Sequence, residues 1–437
     1  MFYVYQFPIA YTIDGALGKI VLSITGIDVS IVGLLLRLLI PLVILKVINT
    51  RTLIFNKRLV RLLLLSLVGI LLSKWLTTII YPSLSNATSP YPMNSSKIIL
   101  RYFILALSLG SVMGEQQNRS RFIKVILFSG FALVFIKQFN LMGVATSGFG
   151  SSIVTSSGRT IGYSFESFGF MDKNYFSLLM GINIIVAVGY YEFVKGRIKR
   201  YIILFMIMLS LLNLLLSMSF GGIFSSAIGL IILLYYQGKK IKWFTVFLPV
   251  SVLLIFVTIS GSGFLEAFEV RLTGVYRSVL PAISGSGFSI DSISHTNESS
   301  LTARIGSAIY ALNLFVESPI FGYGGEKDLT SSLGSGTHTT YIAWLTNFGI
   351  ITIIPLFLLL RGVYSEIRKR MKSRYNRSED NNFQLIMLSL LSMLLINGIG
   401  SPIMLYIITF AGVSIYANQS KRSGNGFVQS KVQHNLD

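Results

Sequence analysis

The sequence predicts an all-α polytopic membrane protein, with about 11 or 12 transmembrane helices and one long extracytoplasmic loop carrying amphipathic helices. Three observations lead there. Only 12% of the residues are charged while 52% are hydrophobic, and the mean hydropathy is +0.68; a soluble domain carries about a quarter charged residues. Uncharged blocks of about 18–20 residues recur, each long enough to cross a hydrocarbon core of roughly 30 Å as a helix. Lysine and arginine gather in alternate connections between those blocks.

Taken in order, the apolar blocks predict spans near 30–48, 59–81, 97–113, 122–141, 176–195, 201–219, 221–237, 243–260, 341–360, 383–398 and 401–417. Segment 3–25 is a weaker candidate, interrupted by Pro8, Asp14 and Lys19. The first ten residues, MFYVYQFPIA, lack the basic start of a cleaved signal peptide, so none is expected. The basic connections hold Arg51 to Arg61, Arg119 to Lys124, Lys195 to Arg200, Lys239 to Lys242 and Arg368 to Arg377, and Lys421 and Arg422 follow the last span. The positive-inside rule puts these in the cytoplasm, together with the tail 418–437. The whole chain, 1–437, then reads as one integral domain of the cell (inner) membrane, multi-pass, with a cytoplasmic C-terminus.

Connections 82–96, 142–175 and 261–340 then face outward. The last is too long for a simple link, and long loops carry function or stay disordered. Within it Phe264, Phe268, Leu272, Val275 and Val279 have helical spacing over 263–281, as do Ile305, Ile309, Leu312 and Val316 over 301–318. Such helices suit the outer membrane surface; the Gly/Ser-rich strip 282–300 joins them.

Orientation explains most of the net charge of +20, so the basicity does not point to nucleic acid. With no cysteine, disulfides, thiolate metal sites and a cysteine nucleophile are excluded. No two histidines have ligand spacing, and no metal or cofactor is expected; magnesium at a diphosphate remains compatible.

Several cations break the positive-inside pattern. Lys74, Lys97, Arg101, Lys137, Arg159, Lys173, Arg271, Arg277, Arg304 and Lys327 fall at the outer side, where carboxylates such as Glu166, Glu266 and Glu317 could pair with them. Together they predict a basic pocket at the outer leaflet. The planar arginine fork fits phosphate oxygens two at a time, so the pocket suits a lipid-linked phosphate or diphosphate. Arg37, within a predicted span, should face the bundle interior and pair with Asp14 or with a substrate phosphate. His338 stands one turn before the span at 341–360, at membrane-surface height, where an imidazole can take a proton from a hydroxyl. His295 lies in the flexible strip and His434 in the tail. Residues 322–325, GYGG, read as a turn after Pro319 and not as a phosphate loop.

Four passages carry a resemblance. They are GRTIGYSFESFGFMDKNYFSLLMG (158–181), with Arg159, Gly162 and Asn174; LSMSFGGIFSSAIG (216–229); LTARIGSAIYALNLFVESPIFGYG (301–324), with Arg304, Pro319, Gly322 and Gly324; and THTTYIAWLTNFGI (337–350), with His338, Tyr341 and Gly349. Their order resembles the O-antigen polymerase and ligase superfamily (Wzy/WaaL type), membrane glycosyltransferases that use undecaprenyl-diphosphate-linked glycans outside the cytoplasm. Two positions depart from that pattern: Phe220 stands where an arginine is usual, and Thr339 where an asparagine is usual.

The resemblance implies a polymerase that joins lipid-linked repeat units into a surface polysaccharide, with a ligase, or an exporter or flippase, as alternatives. It implies His338, Arg304 and Arg271 as catalytic residues. His338 would activate the acceptor hydroxyl, with Glu317 or Glu166 in reserve, and the two arginines would stabilise the leaving diphosphate. Arg159, Arg277, Asn174, Tyr341, Glu317 and Arg37 would bind substrate. The implied partners are the lipid-linked donor and acceptor, membrane lipid, a flippase and a chain-length regulator.

Overall fold

The structure is a computed structural model of the 437-residue chain. It describes residues 56–80, 96–113, 116–139, 149–154, 160–165, 173–191, 193–217, 219–237, 300–324, 340–372, 379–399 and 404–415. The described residues form ten helices and two strands. In chain order these are α1 (Lys57–Ile80), α2 (Ser96–Val112), α3 (Gln116–Phe139), β1 (Phe149–Val154), β2 (Thr160–Phe165), α4 (Lys173–Tyr191), α5 (Arg197–Leu216), α6 (Phe220–Gln237), α7 (Ser300–Glu317), α8 (Thr340–Lys372), α9 (Glu379–Asn397) and α10 (Met404–Val413).

Nine predicted spans coincide with α1 to α6 and α8 to α10, and the amphipathic stretch 301–318 is α7. Helices at Lys57–Ile80, Asn174–Tyr191, Arg197–Leu216 and Thr340–Met371 are long and apolar enough to cross a membrane; those at Gly221–Gln237 and Asn381–Asn397 are apolar but shorter. The protein is thus an all-α multi-pass membrane protein, as its sequence predicts. The predicted spans 30–48 and 243–260, segment 3–25, stretch 263–281 and tail 418–437 lie outside the described residues.

The hairpin β1–β2 falls in connection 142–175, where the apolar-block reading has no regular element. It is antiparallel, with Phe149 opposite Phe165 and Val154 opposite Thr160. Its strands, FGSSIV and TIGYSF, are rich in β-branched and aromatic residues, too few in number to register as an apolar block. A helix cannot use such short β-favouring runs; a hairpin can.

Helix α9 is the centre of the bundle. Residues 383–391 are buried without a break, as expected of a helix that is apolar all round. It packs against α3, α4, α6, α8 and α10. Helices α2 and α10 form one flanking pair and α1 and α8 the other. On α1, Leu64, Leu65, Val68, Leu71 and Trp75 remain exposed on the outer face, the face a bilayer would cover.

Lipid offers no hydrophobic drive for helices to associate, so small residues and polar pairs do that work. Asn183 of α4 donates to the Ser210 hydroxyl of α5 at 2.7 Å, and Asn382 of α9 donates to the Gly189 carbonyl of α4 at 2.7 Å. Gly412 of α10 lies so close to Ala106 of α2 that a Cβ there would overlap its backbone. Gly412→Leu should therefore cost about 1–3 kcal/mol by overpacking, read as a lower thermal unfolding midpoint in detergent, whereas lipid-facing Leu64→Ala should leave the midpoint nearly unchanged.

Candidate active site at the outer helix ends

Helix α8 is two helices joined at Gly349, whose φ of 66° and ψ of −177° are not helical. The left-handed φ costs an ordinary residue roughly 1–2 kcal/mol, and glycine almost nothing. Such a break frees backbone groups that would otherwise pair within the helix, and in a bilayer each must find another partner. They find it in the turn after α7. Ile350 N–H donates to the Pro319 carbonyl at 3.0 Å and Ile351 N–H to the Ile320 carbonyl at 3.2 Å. In return, the carbonyl of Thr346 accepts from Tyr323 N–H at 3.1 Å. From α1, the Ser73 hydroxyl meets the Phe321 carbonyl and reaches the Asn347 carbonyl at 3.3 Å.

The Pro-x-x-Gly-x-Gly run is thus a wedge set into the break. Gly322, with φ of 68°, must be glycine here, since a Cβ would come to 2.5 Å from the Thr346 oxygen. A Cβ on Gly349 would likewise run into the Ile320 carbonyl. Two glycine signals that sit apart in the sequence are two halves of one joint.

The start of α8 is also clamped to the end of α9. Thr340 N–H donates to the Gly398 carbonyl at 2.9 Å, and the Tyr341 hydroxyl donates to the Leu395 carbonyl. Asn397, 2% exposed, donates through Nδ2 to the Ser225 hydroxyl of α6 at 3.0 Å, while its Oδ1 is buried without a hydrogen-bond partner. Next to it, the Ser219 hydroxyl donates to Asn174 Oδ1 at 2.9 Å, tying the entry to α6 to the first turn of α4. The Ser177 hydroxyl donates to the Asn174 carbonyl at 2.8 Å. Four helix ends (the starts of α4, α6 and α8, and the finish of α9) are linked by polar side chains at one end of the bundle.

Of the residues singled out in the sequence, Asn174 and Tyr341 belong to this group, and their described bonds hold helix ends together. Glu317, at the exposed end of α7, accepts from the Tyr323 hydroxyl within the wedge. Arg304 lies in the first half of α7, 13 residues before Glu317. At 1.5 Å per residue that separation is about 20 Å, too far for both to serve one reacting atom. His338, Arg271, Arg277, Arg159, Arg37 and Glu166 lie outside the described residues, as does the side chain of Arg304. His338 is covalently two residues from Thr340. Among the described residues no group of three or more His, Asp or Glu could hold a metal ion.

Sequence reasoning passed over Ser73, Ser225, Tyr323 and Asn397. Three of the four sit in apolar spans, where a single hydroxyl or amide hardly alters the hydropathy. A sharper signal exists for Ser73: Ser66, Gly69, Ser73 and Thr77 make a small, polar stripe on α1, all of it buried.

Residues 205–357 match the family model described as O-antigen ligase. The match begins within α5, takes in α6 and α7, and ends eight residues past the break at Gly349. Over that stretch the chain is similar to O-antigen ligases, in line with the resemblance its motifs show. No curated protein matches the sequence.

Gly349→Val should lower the unfolding midpoint and release the wedge, read as faster proteolysis in 318–324 than in the parent protein. Tyr341→Phe removes one hydrogen bond and should cost about 1 kcal/mol, with the fold intact.

Proposed function

We propose that the protein polymerises undecaprenyl-diphosphate-linked oligosaccharide repeat units into a surface polysaccharide at the extracytoplasmic face of the cell membrane. The family match supports a membrane glycosyltransferase-like enzyme of the ligase and polymerase kind, acting on lipid-linked glycans. The observation that supports the site is the double clamp of Thr340 and Tyr341 onto the end of α9, two and three residues past His338 in the chain.

In the proposed reaction the acceptor hydroxyl oxygen attacks the anomeric carbon of the donor sugar. The bond from that carbon to the diphosphate oxygen breaks, and its electron pair leaves with the diphosphate. The hydroxyl proton passes to His338. Arg304 and Arg271 hold the charge that develops on the leaving group, with Arg159 and Arg277 in support. Diphosphate is a good leaving group, so no acid need protonate it. One direct displacement inverts the anomeric centre. Asn174 and Tyr341 hold the helix ends that frame the site, and Arg37 binds a phosphate or pairs with Asp14.

A ligase reading has a specific observation behind it, since the matching family model carries that description. The two differ in acceptor: another lipid-linked repeat unit, or a separate glycolipid. Phe220, where the superfamily usually has arginine, favours polymerisation. A flippase and a chain-length regulator would act beside a polymerase.

His338→Ala and Arg304→Ala proteins should insert normally and make no long glycan; either variant yielding a normal ladder would overturn the assignment. A ladder of lengths on polyprenyl diphosphate identifies a polymerase, and a single transfer to another glycolipid a ligase.

The orientation has its own test, made simple because the chain has no cysteine. A membrane-impermeant maleimide added to intact cells should label Ile399→Cys, which is exposed beyond α9, and should spare Lys199→Cys. The opposite pattern would invert the topology and move the site to the cytoplasm.

A further inference from the structure

The opposite end of the bundle holds a cleft unrelated to the site above. It lies between α3, α4 and α9 and is open at its mouth. Its lining divides by chemistry. Gln116, Arg119, Ser120, Tyr190 and Asn382 offer hydrogen-bond donors, and Ile123, Phe193, Phe383 and Ile386 form an apolar wall. Among the described lining residues none is acidic, while Glu115 and Glu192 adjoin the lining in the chain.

Arg119 is 5% exposed, and one N–H of its guanidinium caps the Met113 carbonyl at 2.8 Å, just past the end of α2. That bond orients a five-donor fork at the cleft wall. Gln116 is the first residue of α3, so the positive end of a 24-residue helix opens there as well. Arg121 and Lys124 on α3 and the run Lys195–Arg200 raise the local positive charge, against Glu379 and Asp380 in the first turn of α9.

Donors on one side and aromatic and aliphatic walls on the other match a molecule that is anionic at one end and apolar at the other. We propose that this cleft takes the phosphate of an anionic phospholipid headgroup from the inner leaflet, with the start of an acyl chain along Phe193 and Phe383. Basic recesses between membrane helices on the cytoplasmic side recognise anionic headgroups by the same physics. A soluble phosphate would meet the donors and leave the apolar wall unused.

The test is the thermal unfolding midpoint of the full-length protein in detergent micelles, titrated with phosphatidylglycerol, phosphatidylcholine or inorganic phosphate. Phosphatidylglycerol should raise the midpoint by a few degrees and saturate, as binding to the folded state alone requires; phosphatidylcholine should not. Arg119→Gln should lose most of the rise, while Arg121→Gln, whose parent side chain is exposed and outside the lining two residues along α3, should keep it. Equal losses in both variants would mean general attraction to a basic surface and would overturn the site. A full rise with inorganic phosphate alone would overturn the lipid. Should Arg119→Gln not fold, Ser120→Asp decides: a carboxylate in the cleft abolishes the rise if the site is real, and leaves it unchanged if it is not.

Discussion

Inside a bilayer a backbone N–H or C=O without a partner costs several kcal/mol, because no water is there to replace what the helix gives up. That constraint organises the part of this molecule around the break in α8. Helix α8 is interrupted at Gly349, and the freed donors of Ile350 and Ile351 are met by carbonyls of the 318–324 turn. The turn's own Tyr323 N–H is met by the Thr346 carbonyl. Neither segment satisfies its polar groups alone. The 318–324 turn is bonded into the broken helix, and the two cannot drift apart without stranding at least three backbone groups.

A second consequence follows for the start of α8. A straight helix would be held only along its length. The broken one has a short outer piece, fastened at Gly349 by the wedge and at Thr340 and Tyr341 by α9. Both ends of that piece are fixed to different partners, so its direction is set independently of the rest of α8. The amide of Asn397 joins α9 to α6 at the same level, and the hydroxyl of Ser219 carries the link on to α4.

How much of this the sequence displays depends on the length scale of each signal. Spans are legible because about twenty apolar residues in a row have few other uses; nine of them stand where hydropathy puts them. Helix α7 is legible because Ile305, Ile309, Leu312 and Val316 recur with helical period. The hairpin is not, since six-residue strands give too short a pattern to separate from an irregular outer loop. The glycines of 322–324 and the one at 349 are each visible as punctuation, yet their partnership is not, for pairing across 25 residues depends on tertiary hydrogen bonds. The same holds for Ser73 and Asn397, whose meaning lies in which helix they face. In this chain the passages that carry the resemblance include this mechanical joint beside the polar residues that draw attention first.

The joint also constrains how α7 can take part in glycan transfer. Its C-terminal end is fixed: Ser318 begins the wedge, the Thr346 hydroxyl reaches the Ala311 carbonyl at 2.9 Å, and Glu317 is bonded to Tyr323 within the same turn. Arg304 is at the other end, about 20 Å away along a rigid rod. Swinging α7 as one body about Ser318 would break the bond from the Thr346 hydroxyl to the Ala311 carbonyl, so the start of α7 cannot be displaced far without loosening α7 from α8.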